Sequence, residues 1–301
     1  MTGKEGRRLT LTVAAAWEGE KIDTLLRREL GLSGTVIKRI KWLEDGILLD
    51  GVRAITGRRV TAGQTLTVRV ADPAHTELPT PTPGPADVVY EDGDLLVVNK
   101  APGVLVHPGP GNGTDTLCNH IAWYLQQRGD SSGVHPVQRL DKGTSGLLVI
   151  AKHPVAQEKL KRQLHTPQFR RIYLAVCDGV PQPPQGRVDA PIGRVPGSLV
   201  ERQVDSAGQQ AATRYRVVRT AGGRALVELE LETGRTHQIR VHMAHLGCPL
   251  TGDFLYGQEN KNLIGRPALH SAELFLTHPI TGEPMHWQVP LPEDRAALMA
   301  E

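Results

Sequence analysis

The sequence predicts an α+β protein: a mixed, mainly antiparallel sheet preceded by a small α/β unit of two short helices and short strands. Two observations carry that reading. Apolar runs of strand length outnumber helical patterns and do not alternate regularly with them, as a doubly wound parallel sheet would require. A proline-dense stretch, Ala71 to Ala86 with Pro73, Pro79, Pro81, Pro83 and Pro85, favours extended chain and interrupts both helices and sheet ladders. With 301 residues the chain can build one sizeable core plus an accessory module, because single cores stop growing near ~250–300 residues. The expected division is residues 1–72, a linker at 73–86, and residues 87–301.

Taken in order, Leu9 to Trp17 reads as a first strand, since its threonines and the following Glu18 and Glu20 spoil a signal peptide. Ile22, Leu25, Leu26 and Leu30 recur at helical spacing, and Val36, Ile37 and Ile40 begin a second helical stripe. Gly46 to Gly51 is a strand and turn, and Leu66 to Val70 a further strand. Beyond the prolines, strands are expected at Leu95–Val98, Gly146–Ile150, Tyr173–Val176 and Leu226–Leu231. Helices are expected at Thr116–Gln127, Pro154–Leu164 and His237–Leu246.

A composition of 39% hydrophobic and 22% charged residues is that of a soluble globular chain, and no run approaches the ~18 apolar residues of a membrane span. Cys118, Cys177 and Cys248 stand far apart without a C-x-x-C pair, which speaks against a disulfide framework or thiolate zinc site and places the protein in the cytoplasm, expected as a monomer. Net charge is only +3, but it is segregated. Residues 1–70 carry 13 basic against 8 acidic groups and residues 99–172 carry 10 against 4, whereas residues 71–98 hold six acids and no Lys or Arg. Such faces suit a polyanionic partner, although solvated surface would look the same.

The segment Val137-Gln138-Arg139-Leu140-Asp141-Lys142-Gly143-Thr144-Ser145-Gly146 is a polar loop running into an apolar strand. It can present one carboxylate at a cleft. Arg139 and Lys142 flank Asp141 and favour its ionised form, the form a carboxylate nucleophile needs, though an acid between two bases is also what a surface ion pair looks like.

Arg139-Leu140-Asp141-Lys142-x-Thr144-Ser145-Gly146 resembles the signature of the RluA-type pseudouridine synthases. Further blocks similar to that family follow in the same order, over roughly residues 87–290. They are Asn99-Lys100-x-Pro102-Gly103 with His107-Pro108, Arg171 to Ala175, Gly234 to His242, Gly252-Asp253-x-x-Tyr256-Gly257, and Leu269 to Ala272. The resemblance implies isomerisation of specific uridines to pseudouridine in structured RNA, with large-subunit ribosomal RNA favoured over transfer RNA, and assigns Asp141 to attack on the target nucleotide. That attack gives either an adduct at the anomeric carbon or a glycal. The resemblance also implies that Tyr173 stacks on the uracil, that Arg240 pairs with Asp141, and that Arg139 enters the RNA stack when the uridine leaves it. No redox change occurs, so no cofactor or metal is expected. Gln138 departs from the family, which commonly has histidine there.

Residues 20–70 resemble the S4-type RNA-binding domain in Ile22-Asp23-x-Leu25-Leu26, Leu32-Ser33 and Gly46-Ile47-x-Leu49-x-Gly51, with Gly34 where an arginine commonly follows the serine. Arg27, Arg28, Lys38, Arg39 and Lys41 lie on the two helices and are candidates for phosphate contacts. The competing reading is a ribosome-associated RNA-binding protein without turnover. A hydrolytic zinc site at His237, His242 and His245 is disfavoured because no acid lies between Gly234 and Gly252 to act as base.

Overall fold

A computed structural model of the chain describes residues 6–71, 78–109, 113–164 and 166–300. The elements are β1 (Arg8–Thr12), α1 (Ile22–Arg28), α2 (Gly34–Ile40), β2 (Ile47–Leu49), β3 (Val52–Arg53), β4 (Thr65–Arg69), β5 (Val88–Glu91), β6 (Leu95–Lys100), α3 (Leu117–Gln127), β7 (His135–Pro136), β8 (Ser145–Ala151), α4 (Pro154–Gln163), β9 (Arg170–Asp178), β10 (Gln185–Asp189), β11 (Ile192–Arg194), β12 (Arg202–Val204), β13 (Ala212–Ala221), β14 (Arg224–Leu231), α5 (Gln238–His245), β15 (Leu269–Thr277), β16 (Pro284–Gln288) and α6 (Glu293–Ala296).

The first four strands form an antiparallel sheet in the order β1-β4-β2-β3. The two helical stripes cover it: Ile22, Leu25 and Leu26 from α1 and Val36, Ile37 and Ile40 from α2 pack on Ile47, Leu49, Leu66 and Val68. The expected first strand ends at Thr12, and Ala15–Trp17 is a short 3₁₀ turn. This core continues into the rest of the chain, because Val155 of α4 belongs to it. Polar contacts follow the same seam. Ser33 caps α2 by accepting from the Val36 amide and donates to Glu158 of α4 at 2.6 Å, and Arg7 holds Asp94 through two hydrogen bonds of 2.8 and 2.9 Å.

Part of the proline-rich stretch, residues 72–77, lies outside the described residues. Beyond it, Thr82 donates its amide to the Asn119 carbonyl, and the Asn119 side chain donates to the Thr80 carbonyl. The segment is therefore tied to α3.

The large sheet runs β10-β13-β14-β9-β15-β8-β6-β5, with β16 added on β15 and β7 on β8. Its pairings are antiparallel except β15 with β8, which makes the sheet mixed. Alternation sorts the side chains onto two faces. Leu96, Val98, Leu148 and Ile150 meet Ile121 and Leu125 of α3 and Ile239 and Met243 of α5; Leu95, Val97, Leu147 and Val149 meet Ala156 and Leu160 of α4. Every residue of β8 is buried, as its unbroken apolar run requires of a strand covered on both faces. The strand also brings the polar loop before it to the sheet's interior. Gly146 has φ +108°, and a Cβ there would lie 2.2 Å from the Ser271 carbonyl oxygen, so a glycine at this position is what lets β15 run against the start of β8.

Candidate active site

The loop of residues 138–144 is fixed from below. The Thr144 amide closes a turn on the Asp141 carbonyl at 3.1 Å, and the Gly103 amide donates to the Lys142 carbonyl at 2.8 Å. Lys100, 1% exposed, directs its ammonium at the carbonyls of Ala101 (2.8 Å), Val104 (2.9 Å) and Lys142 (3.3 Å). Burial pushes its pKa down to about 8, and the field of Asp141 only partly opposes that.

Asp141 thereby stands at a cleft of ≈ 320 Å³, lined among others by Gln138, Arg139, Arg171, Tyr173, His237 and Arg240. Its carboxylate oxygen is 3.8 Å from Arg240 Nη1 and 3.9 Å from His237 Nε2. Arg240 projects from α5, which begins after His237 in the left-handed conformation, φ +58°. The expected Asp141–Arg240 neighbourhood is thus present, but as an ion pair without a hydrogen bond. The bidentate partner is Asp253: Arg240 Nε and Nη2 donate to its two oxygens at 2.7 and 2.6 Å, leaving Nη1 toward Asp141. Asp253 is wholly buried and also accepts from the Leu255 amide. Burial depresses the Arg240 guanidinium, but the hydrogen bonds and charge of Asp253 outweigh it and raise its pKa.

Around this pair, Tyr256 lies 5.0 Å from the guanidinium, and its hydroxyl contacts His237 Nδ1 at 2.8 Å and accepts from the Arg202 amide. Burial pushes His237 toward its neutral form. Tyr173, 4% exposed on β9, forms another wall, and burial raises its phenol. Arg139 is exposed at the rim.

The N-terminal candidates lie on a separate surface. Arg27 is paired with Asp23, and Arg28 with Glu20 and Glu29. Lys38 and Arg39 are exposed on α2 with no ion pair to a described acid, and Lys41 lies 4.8 Å over the exposed Trp42 ring. His242 commits both ring nitrogens, to Thr213 Oγ1 and the Ala190 carbonyl, and offers no ligand atom to a metal.

Sequence reasoning did not assign Asp253 or Lys100. The signal for Asp253 was available: a buried arginine needs a carboxylate, and Asp253 is the first acid after Gly234. Lys100 carries no such signal, since its partners are backbone carbonyls.

The family model described as RNA pseudouridylate synthase matches residues 94–245. An uncharacterized RNA pseudouridine synthase of Bacillus subtilis (strain 168), YjbO, is 40% identical over 90% of this chain and 95% of its own length. Ribosomal large subunit pseudouridine synthase D of Yersinia pestis is 36% identical over 97% of this chain and 93% of its own. Among solved structures, human RNA Pseudouridylate Synthase Domain Containing 4 superimposes with a TM-score of 0.57 at 27% identity, covering 70% of this chain and 90% of that one. Among the described residues no helix is long and apolar enough to cross a membrane. On its sequence matches, its fold and the cleft that gathers Asp141, Tyr173 and Arg240, the chain belongs to the RNA pseudouridine synthase family and converts uridine in RNA to pseudouridine.

Proposed function

We propose that the substrate is large-subunit ribosomal RNA, the substrate named for the Yersinia pestis relative, and that Asp141 is the nucleophile. The observation that carries the assignment is the arrangement of Arg240: Asp253 locks two of its nitrogens, so the third faces Asp141 as a fixed cation in a water-poor wall. A carboxylate held beside such a charge is oriented for attack on the sugar. An Asp141 carboxylate oxygen bonds to C1′ as the bond from C1′ to uracil N1 breaks, the base turns, and the bond to Asp141 breaks as a bond from C1′ to C5 forms, which returns the carboxylate. C5 releases a proton and N1 gains one, so the product is an isomer and no cofactor takes part.

Tyr173 supplies the aromatic wall for the freed base, and Arg139, exposed at the rim, fills the stack that the flipped nucleotide leaves, offsetting part of an unstacking cost of a few kcal/mol. Residues 1–72 act as an S4-like docking unit, joined through 73–86 to the catalytic unit at 87–301. The ion pairs of Arg27 and Arg28 favour Lys38, Arg39 and Lys41 as its phosphate contacts. The test is to treat unmodified transcripts of large-subunit ribosomal RNA and transfer RNA and map pseudouridine. Wild type is expected to modify discrete uridines of the ribosomal transcript. Asp141→Asn is expected to bind RNA and melt as wild type does, with turnover reduced by at least ~10³-fold, about 4 kcal/mol of barrier; near-normal turnover would remove Asp141 from the role.

A further inference from the structure

Gln138 is buried to 7% exposure in the wall of the cleft, three residues before Asp141, between the buried side chains of Val137 and Leu140. Both polar atoms of its carboxamide, Oε1 and Nε2, lack a hydrogen-bond partner among the described residues. A buried amide left unpaired on both ends is costly and is uncommon in a folded chain. A leucine or methionine would fill the same space without that penalty. The polar group is therefore out of place as packing, and it belongs to a residue lining the cleft in which a nucleobase must be held.

We propose that Gln138 reads the imide edge of the target uracil and holds it while the base turns. This rests on the assignment of the cleft around Asp141 as the reacting site. Uracil presents an N3–H donor flanked by two carbonyl acceptors. A carboxamide matches one half of that edge, accepting N3–H at Oε1 and donating Nε2–H to the adjacent carbonyl. Replacing N1 by C5 at the sugar requires a half-turn of the ring about the line through N3 and C6. That turn exchanges the C2 and C4 carbonyls and leaves N3–H where it was, so the same pair of hydrogen bonds fits before and after. Cytosine lacks both the N3–H and the symmetry. Gln138 is thus a specificity-determining residue for a base that has been detached from its sugar and has to be kept from leaving.

The experiment uses the full chain with Gln138→Leu and Gln138→Met, single-turnover pseudouridine formation on an oligoribonucleotide carrying the uridine mapped above, and the same oligonucleotide with N3-methyluridine at that position. The turnover rate of both variants should fall at least tenfold while RNA affinity is unchanged and the melting temperature holds or rises, because the unpaired amide has gone. N3-methylation should slow wild type strongly and the variants little further. A wild-type rate in the variants, an N3-methyl penalty equal in wild type and variants, or a rate loss that tracks a falling melting temperature would each overturn the inference. If the wild-type protein forms no pseudouridine, or Asp141→Asn retains full turnover, it is the underlying site assignment that fails instead.

Discussion

Two arginine–aspartate pairs, one between residues four apart on one helix and one between residues thirteen apart, contrast the N-terminal unit with the large sheet. Arg27 and Asp23 on α1 have side chains 51% and 39% exposed, whereas those of Arg240 and Asp253 are 5% and 0% exposed. In water the first pair is screened and exchangeable, so neither partner is held in one geometry. The second is fixed by its surroundings: removing one partner strands a charge in the interior, and what the pair contributes is orientation of the remaining nitrogen toward Asp141. The same chemical unit is therefore exchangeable with solvent in one region and fixed in the other.

The largest effect should come from breaking the buried pair. Asp253→Ala is expected to destabilise the protein by about 3–5 kcal/mol in denaturant unfolding and to abolish measurable turnover, while Asp253→Asn, which keeps an acceptor of the same shape, loses less stability but still most of the rate. A variant as stable as wild type would mean that the burial of this pair has no energetic consequence.

Gly146→Ala comes next. With φ +108° and the Ser271 carbonyl 2.2 Å from the new Cβ, a loss of about 1–3 kcal/mol is expected, with reduced turnover because the loop carrying Asp141 springs from this residue.

The seam between the regions gives a pH test. Burial raises the Asp94 carboxyl, but hydrogen bonds from His153 and Arg7 outweigh it and hold it well below the usual 3.8. A depressed carboxylate contributes stability that is present above its ordinary pKa and is lost as pH falls below 3.8 toward the folded value. Melting temperature measured from pH 6 downward should fall across that window in wild type and more gently in Asp94→Asn. Parallel curves would show that the seam is not held by this charge. The smallest effect is expected for Ser33→Ala, about 1 kcal/mol in unfolding free energy, from losing the α2 cap and its bond to Glu158.

Much of the large sheet was legible because its inner strands are apolar on both faces: β6, β8 and the middle of β9 announce themselves, and α3, α4 and α5 carry clear periodicity. Among the strands left out, β10 (Gln-Gly-Arg-Val-Asp), the paired β11 and β12, and the arginine-rich β13 have exposed faces and look like loop in composition, whereas the central, largely buried β15 was read only as a motif block and β5, β7 and β16 are short edge or added strands. Their identity comes from pairing, with crossed pairs such as Arg216–Glu228 along the β13–β14 ladder. Asp141 was singled out by the resemblance of its loop to a family signature, since the loop's own charges fit a surface ion pair as well. The partnership of Arg240 with Asp253 could be suspected only once Arg240 is known to be buried, which depends on how α5 packs, and the burial of Gln138 leaves no local trace in a polar loop. The clamp of Arg7 on Asp94 joins residues 87 positions apart and leaves no local trace.

The division between reversible and fixed charge is tested most directly by a variant that replaces Arg27, Arg28, Lys38, Arg39 and Lys41 with glutamine, keeping the chain whole so that Val155 and Asp94 retain their N-terminal partners. RNA affinity at several salt concentrations and the single-turnover rate at saturating enzyme would be measured on both proteins. The account predicts an unchanged saturated rate, weaker binding, and a salt slope shallower by roughly 0.7–0.9 for each phosphate contact removed. Identical salt slopes, or a saturated rate that falls with affinity, would contradict it.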